Sequence, residues 1–226
     1  ADAHFQRPLM VTAFADGTKI SYEMATLANA TGFGVGTRGM YGPKCDRVEN
    51  APKVFTDEMI GNGIVDYILG AEPAFGVFVL ATTDNPVKKR YMSVYKMTDG
   101  PLYTFYVPSH LSPLEAPLSV ARAALFGDSA LTPKGYTCDV VAVAKKPLKK
   151  GEILDGIGGF CCYGDIDNTK TMQKENLVPM GLIEECTIKK DVAEDAPLTY
   201  DDIEIPTGRL IDRLKKEQDA LLGGSL

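Results

Sequence analysis

The hydrophobic pattern of the chain changes near Pro133-Lys134-Gly135. Before this point, long segments carry apolar residues at helical and strand spacings, which is typical of an α+β domain. After it, short β-branched runs alternate with turn residues, as in CDVVAVAK, EILD, ECTIKK and PLTYDDIEI. We therefore predict an α+β fold in which residues 1–135 form a central sheet with flanking helices and residues 136–206 form a small β domain.

The second part also contains a weak internal repeat at an offset of 44 residues. Each copy has a basic pair followed by two apolar residues at matching positions, namely Lys145-Lys146, Leu148 and Leu154 in the first and Lys189-Lys190, Val192 and Leu198 in the second. Each copy is too small to bury its apolar side alone. We therefore expect two such arms to pack face to face as a pseudo-symmetric β domain.

Periodicity predicts individual elements as well. Residues 16–30 (DGTKISYEMATLANA) favour an amphipathic helix that Asp16 caps and Gly32 ends. Further helical patterns cover residues 57–69, 112–127 and, within a C-terminal segment predicted as helix over 207–226, GRLIDRLKKEQDALLGG. Three strands are expected in FGVFVLAT, RYMSVYKM and LYTFYVP, with turns at Asp84-Asn85-Pro86 and Asp99-Gly100-Pro101 between them.

The net charge of the chain indicates which classes of molecule it is suited to bind. The 24 Lys and Arg residues face 30 Asp and Glu residues, which gives a formal charge of -6 without a clustered basic patch. Phosphate backbones and anionic lipid surfaces attract clustered positive charge, so we expect a small-molecule substrate and neither nucleic acid nor membrane as partner. No apolar run has the length that spans a bilayer, and the opening residues lack the segments of a secretory signal.

The five cysteines form an odd set without metal-ligand spacing, and the adjacent pair Cys161 and Cys162 is poorly placed for a disulfide. We expect reduced thiols in a cytoplasmic protein. The first residue is alanine and not methionine. We therefore also expect the sequence to be part of a longer polypeptide.

Three charged residues stand on one stripe of the first predicted helix, because Asp16, Lys19 and Glu23 follow one another at spacings of three and four. One interpretation is a solvated face with a capping aspartate and an ordinary ion pair between Lys19 and Glu23. The other is a proton-handling lysine held between carboxylates, which an enzyme acting on a hydroxyl or carbonyl group needs. Spacing alone favours the first interpretation.

Two further residues are candidates for substrate binding. Arg38 lies in the glycine-rich segment TRGMYGP, where its guanidinium is suited to clamp a phosphate or carboxylate, although a surface arginine is an equal alternative. His110 follows the last predicted strand of the first part, at a place where active-site groups often lie. A lone histidine is more often a structural residue.

A family resemblance covers nearly the whole chain. The first part resembles the catalytic region of the homoserine-dehydrogenase-like oxidoreductases, among them the type II (DXR-like) 1-deoxy-D-xylulose 5-phosphate reductoisomerases, in MVTAFADGTKISYEMATLANATG, TRGMYGP, GIVDYILGAEPAFGVFVL, DGPLYTFYVPSHL and SVARAALFGD. The second part resembles the SAF (antifreeze-like, β-clip) domain that closes those chains, in VVAVAKKPLKKGEILDGIGGF, ENLVPMGLIEE and LTYDDIEIP.

The resemblance implies an NADPH-dependent oxidoreductase that acts on a sugar phosphate or a related hydroxy or keto compound. Reductive isomerisation of 1-deoxyxylulose 5-phosphate, a step towards isoprenoid precursors, is one reaction of that class. It implies that residues 1–135 are a catalytic and oligomerisation portion and that residues 136–206 are the SAF domain, with a homo-oligomer formed through the apolar central sheet. The alternative is a SAF-type module for carbohydrate binding or oligomerisation, without chemistry of its own.

The resemblance also favours the catalytic interpretation of the charged stripe. It implies that Lys19 handles the proton of the substrate oxygen, while Asp16 and Glu23 orient it and contact substrate hydroxyls or a divalent metal. Arg38 and His110 are then expected to bind substrate. The metal requirement itself stays open, because no His, Asp or Glu cluster has ligand spacing.

The sequence departs from those enzymes at its front, where they carry a dinucleotide-binding Rossmann domain. The only glycine-rich candidate, Gly32-x-Gly34-x-Gly36, follows a predicted helix and not a strand, so it lacks the context of a pyrophosphate cradle. We therefore expect no cofactor-binding residues in this chain, NADPH held by a domain outside it, and no activity of the chain alone.

Overall fold

The computed structural model describes residues 6–61 and 63–222 and has an α+β fold, as predicted. Its α-helices are α1 (Pro8–Ala15), α2 (Thr18–Thr31), α3 (Ala51–Val54), α4 (Asp57–Ile60), α5 (Pro86–Val94), α6 (Ser112–Phe126), α7 (Thr169–Lys174) and α8 (Leu210–Leu222). Its strands are β1 (Val77–Ala81), β2 (Tyr103–Val107), β3 (Cys138–Ala144), β4 (Cys162–Asn168), β5 (Thr187–Ile188) and β6 (Ile203–Glu204). Within the described ranges the strands form three antiparallel pairs, β1 with β2, β3 with β4 and β5 with β6.

The described residues divide into two compact units. The first comprises residues 6–40, 63–65 and 133–222, and the second comprises residues 41–61 and 66–132. The domain boundaries predicted at residues 135 and 206 remain predictions. In the described part of the chain, no helix is both long and apolar enough to cross a membrane.

The pair of strands β3 and β4 forms the centre of the first unit. Both strands are largely buried, and their side chains alternate between two faces. On one face, Val141 and Val143 pack against Met172 and Leu177. The other face is covered by α2 and contains Gly164, where a side chain would meet the Cγ1 atom of Val140 at 2.6 Å.

Hydrogen bonds fix α2 to this sheet at both of its ends. At the start, the fully buried Thr18 accepts the N–H of Gly164 with its hydroxyl oxygen at 2.9 Å. At the end, the side chain of Asn29 accepts the Cys138 N–H at 3.0 Å and donates to the Cys138 carbonyl at 3.0 Å. An amide that pairs with both polar groups of one residue clamps the helix to the first residue of β3.

The internal repeat predicted in the second part is confirmed by the hydrogen bonds of the first unit. Leu148 donates its N–H to the Val192 carbonyl at 2.9 Å, and Val192 donates in return to the Leu148 carbonyl at 3.0 Å. Two further pairs of backbone N–H to carbonyl bonds have donors and acceptors 44 positions apart, with the arms exchanged. Leu154 donates to Cys186 and Leu198 donates to Ala142; likewise, Gly151 donates to Ile188 and Asp195 donates to Ala144. When two similar arms are related by an approximate two-fold axis, each bond from the first arm to the second has a counterpart from the second arm to the first.

The second unit is built around β1 and β2. Tyr103 at the start of β2 is 2% exposed, and the ring of Phe55 lies 6.4 Å from that of Phe78 in β1. Helix α6 follows its predicted course and ends at Gly127, which adopts the left-handed conformation with φ of 62°. Glycine reaches this conformation without the steric cost of a side chain, which is why it ends helices so often.

The strand predicted in RYMSVYKM is wrong, because these residues belong mainly to α5. Asn85 accepts the N–H groups of Val87 and Lys88 with its side-chain oxygen at 2.9 and 3.2 Å, and Pro86 occupies the first helical turn. Both features initiate helices. The Asn85-Pro86 pair that indicated a turn between strands is therefore the start of a helix.

The helix predicted over residues 57–69 is much shorter. Thr56 caps α4 by accepting the Met59 N–H at 3.3 Å, but the helix ends at Ile60. Gly61 has a φ of 48°, which interrupts the helical backbone. Further on, Leu69 pairs with Lys44 in a parallel bridge and is extended.

Candidate functional site

The predicted site begins at the tight turn between α1 and α2. Gly17 forms this turn with φ of 86° and ψ of -8°, and α2 begins at the next residue. The N-cap role predicted for Asp16 is wrong, because Gly17 occupies that position without a side-chain cap bond; Asp16 lies one residue earlier, where its Oδ1 accepts the Thr18 N–H at 3.0 Å. The carboxylate of Asp16 and the hydroxyl of Thr18 are therefore both engaged in hydrogen bonds within the protein.

Asp16 has a second partner that its sequence neighbours do not reveal. The Nζ of Lys145, at the end of β3, lies 2.7 Å from Asp16 Oδ2 and 2.8 Å from the Gly159 carbonyl. Burial acts to raise the pKa of Asp16, but the hydrogen bonds from Lys145 and Thr18 outweigh it, so this pKa lies below its usual value. Asp16 is therefore a charged anchor between the turn and the sheet.

Lys19 points elsewhere. Its ammonium group pairs with Glu23, one helical turn further, and lies 4.4 Å from the centroid of the Phe14 ring. About a third of the Lys19 side chain, 34%, remains exposed. The structure thus brings Lys19 and Glu23 together, as their spacing predicts, while the carboxylate of Asp16 is engaged by Lys145.

Arg38 is engaged by two carboxylates of the first unit. Its Nε donates to Asp167 at 2.7 Å and its Nη2 donates to Glu175 at 2.5 Å. Asp167 is buried, so this bond compensates a charge that has little contact with water. An incoming phosphate or carboxylate would have to compete with both carboxylates for the guanidinium. Arg38 is therefore neither a free surface arginine nor a guanidinium left open for substrate.

Asp165 stands on the same strand as Asp167, and its carboxylate makes no hydrogen bond with any of the described residues. Burial raises its pKa, and Asp167 and Asp195 act in the same direction, whereas Arg38 opposes them. A side chain at Gly39 would approach its Oδ2 to 3.2 Å. The sequence analysis did not select Asp165, because only the fold places it beside Arg38.

His110 belongs to the second unit and follows β2. Its Nδ1 lies 3.9 Å from the Glu115 carboxylate at the start of α6, and 45% of its side chain is exposed. The distance of this pair is long, and both of its residues belong to the second unit. The pair does not by itself indicate a ligand.

The described residues do not form an obvious metal or thiol centre. Within residues 6–61 and 63–222, no group of three or more His, Cys, Asp or Glu side chains is placed to hold a metal ion. All five cysteines are buried free thiols. Burial raises the pKa of Cys161 to about 11 and that of Cys162 to about 12, which favours the unreactive thiol form at neutral pH.

The glycine-rich stretch after α2 does not fit a dinucleotide. Gly32 ends α2 in the left-handed conformation, and Gly34 then pairs with Ile64 in a parallel bridge. A side chain at Gly34 would collide with the Asn168 Oδ1 atom at 2.4 Å, so this glycine is required by internal packing. The strand, turn and helix that hold a pyrophosphate are not formed by this stretch.

The first part of the chain matches the model of a protein family. The family model described as oxidoreductase DRL, catalytic domain, matches residues 1–116. The matched segment contains the turn at Gly17, the Lys19 and Glu23 pair, Arg38 and His110, whereas Lys145 lies outside it. A comparison with curated proteins finds no match. Because the matched segment is just over half of the 226 residues, the chain belongs to the oxidoreductase DRL catalytic-domain family.

Proposed function

We propose that this chain supplies the proton-handling part of an NADPH-dependent oxidoreductase acting on a sugar phosphate or a related hydroxy or keto compound. Reductive isomerisation of 1-deoxyxylulose 5-phosphate is the most specific reaction within the proposal. Support comes from the oxidoreductase catalytic-domain match and from residues 16–19, which have the sequence DGTK. We further propose a cytoplasmic location, in keeping with the free thiols.

The observation that carries the proposal is the contrast within residues 16–19. Asp16 is bound by Lys145 and by the start of α2, Gly17 forms the turn, and Thr18 is buried against the sheet. Lys19 alone among these four presents a charged group at the surface. Three anchored residues thus fix the backbone from which one partly exposed ammonium group projects, which is how a rigid scaffold positions a catalytic side chain.

The proton step follows from this placement. In the reducing direction, the Lys19 ammonium group donates a proton to the carbonyl oxygen as that oxygen gains negative charge, and in the oxidising direction the neutral amine accepts the hydroxyl proton. Glu23 pairs with this group and orients it. The nicotinamide supplies or accepts the hydride when bound. Since the stretch after α2 does not fit it, we assign its binding to a domain outside this chain.

The second candidate function is assembly, and the exposed face of β1 and β2 favours it. Four apolar side chains lie on one face of these paired strands and are 42–58% exposed, namely Val77, Val79, Phe105 and Val107. A two-stranded sheet is marginal alone, and such a face is usually covered by another surface. We propose that a second copy covers it, and that the pseudo-symmetric arms form a β-clip domain of SAF type.

Substitution of Lys19 in the full-length enzyme tests the proposed chemistry. Loss of a general acid or base lowers the rate about a hundredfold to ten-thousandfold, so we expect Lys19→Ala to lose turnover by at least the lower figure. Its melting temperature should stay close to that of the wild type, because an exposed helical lysine contributes about 0.5 kcal/mol or less. Lys216→Ala, an exposed change on α8, is the matched control. Activity of Lys19→Ala within about threefold of wild type would exclude the assignment.

A further inference from the structure

The second unit contains a cavity that the Lys19 proposal does not use. Its volume is about 560 Å³, within the range of about 300–1,000 Å³ that is usual for small-molecule sites. It lies entirely in the segment that matches the oxidoreductase catalytic domain. Its lining consists of Lys44, Cys45, Asp46, Asn50, Lys53, Val54, Leu69 and Gly70.

Backbone hydrogen bonds hold two walls of this cavity in place. The Cys45 N–H donates to the Leu69 carbonyl at 2.9 Å, and the Leu69 N–H donates to the Pro43 carbonyl at 2.9 Å. Further along, the Glu72 N–H donates to the Asp46 carbonyl at 3.0 Å. These bonds join the two extended segments as a short parallel ladder, so the cavity has fixed walls and is not a gap between loose loops.

A chain of side-chain hydrogen bonds orients one of the two lysines. Asp46 accepts the Asn50 amide N–H at 2.9 Å, and the Asn50 amide oxygen accepts from the Lys53 ammonium group at 2.8 Å. Asp46 also accepts the Arg47 N–H at 2.9 Å. The only carboxylate in the lining is therefore already occupied by donors, and the ammonium group of Lys53 makes its hydrogen bond to the neutral Asn50 and reaches the Asp46 charge only through space.

The second lysine has no such constraint. The ammonium group of Lys44 makes no hydrogen bond or ion pair with any residue in the described ranges. The lining also contains the apolar side chains of Val54 and Leu69, and Leu69 is 48% exposed. Two lysines and one carboxylate give the lining a net positive charge around an uncovered apolar surface.

We propose that this cavity binds a small organic anion. Its phosphate or carboxylate group contacts the ammonium groups of Lys44 and Lys53, and its uncharged part covers Leu69 and Val54. The two lysines give charge-assisted hydrogen bonds, and the apolar side chains contribute burial of carbon atoms. A neutral polar molecule would leave the positive charge uncompensated, and a nucleic acid needs a far larger basic surface.

Binding of simple probes tests this site without measuring turnover, so its result is separate from the Lys19 experiment. The full chain is titrated with n-butyl phosphate, n-butyrate and n-butanol by saturation-transfer NMR and calorimetry. We expect at least one of the two anions to bind with a dissociation constant in the micromolar to low millimolar range, and n-butanol to bind more weakly. The tighter of the two anions identifies the group that the site prefers, and either preference supports the proposal.

Charge-removing variants assign the binding to the cavity. We expect Lys44→Gln and Lys53→Gln each to weaken binding of the preferred anion about two- to fivefold, and the double variant about tenfold, because exposed charge pairs each contribute a modest free energy. The matched control is Lys88→Gln/Lys89→Gln, which removes two exposed charges from α5 in the same unit. Failure of both anions to bind the wild type, equal binding of n-butanol, or an equal effect of the control variant would each overturn the proposal.

Discussion

The Lys145 ammonium group lies 2.7 Å from the Asp16 carboxylate and thereby joins two segments that are 129 residues apart. The pair is mostly shielded from solvent, with 25% of the Lys145 side chain and 15% of the Asp16 side chain exposed. Asp16 also accepts the Thr18 N–H at the start of α2. One carboxylate thus fixes the start of the helix that carries Lys19 and ties it to the end of β3.

The first prediction concerns acid stability. Because the pKa of Asp16 is lower in the folded protein than its unfolded value of about 3.9, its contribution is fully present above about pH 4 and is lost as the pH falls through the folded pKa. We expect Asp16→Asn to lower the free energy of unfolding by about 1 kcal/mol at pH 7, after allowance for solvent screening.

Urea unfolding at pH 7 and near pH 3 checks this. The difference between wild type and Asp16→Asn should shrink at the lower pH. Glu23→Gln is the matched control, because it removes a carboxylate from the exposed pair with Lys19 and should change the free energy of unfolding by about 0.5 kcal/mol or less. An equal difference at both pH values would contradict the assigned role.

The second prediction concerns Arg38. Removal of its guanidinium leaves the buried Asp167 carboxylate without its charged partner, so we expect Arg38→Met to destabilise the fold by about 2–4 kcal/mol. The double variant Arg38→Met/Asp167→Asn should recover a large part of that loss, because it also removes the buried charge. Thermal and urea unfolding give both values. Unchanged stability of the single variant would show that the pair of Arg38 and Asp167 does not stabilise the fold.

The third prediction concerns the cofactor. We expect the 226-residue chain alone to bind NADPH negligibly, because Gly32 and Gly34 are committed to a helix end and to packing. Fluorescence titration or calorimetry measures this directly. A dissociation constant in the low micromolar range or tighter would contradict the assignment of NADPH to another domain.

The fourth prediction concerns assembly. We expect the chain to form a dimer in solution through the face that contains Val79 and Phe105, both of which are exposed. The change Val79→Glu should shift the mass measured by light scattering towards the monomer, because a charge would be buried without a partner. A wild-type protein that stays monomeric across micromolar concentrations would remove the proposal.

The sequence predicts those elements best in which local signals agree. Helix α2 has an apolar stripe and a terminal glycine, and the structure confirms the helix with its start at Thr18, although its N-cap is Gly17 and not Asp16. In α5 the signals conflicted, because aromatic and β-branched residues favoured a strand. The cap at Asn85 decided the outcome. Helix α1 was not predicted, since it is short and four of its apolar side chains remain largely exposed.

The candidate site is only partly predictable. The pair of Lys19 and Glu23 follows from helical spacing and is confirmed as a contact. The partners of Asp16 and Arg38 lie 129 residues away in Lys145 and Asp167, so no local pattern indicates them. The roles assigned to the five predicted site residues remain predictions, because geometry establishes contacts and not chemistry.

The clamp between Asn29 and Cys138 has a consequence for biosynthesis. The two residues are 109 positions apart, and at an elongation rate of about 5–20 residues per second a ribosome needs roughly 5–20 s to make the intervening chain. During that interval α2 exists without the sheet that covers Ala25 and Ala28. The apolar side chains of α2 therefore stay uncovered for seconds while the ribosome makes residues 41–132, most of which form the second unit.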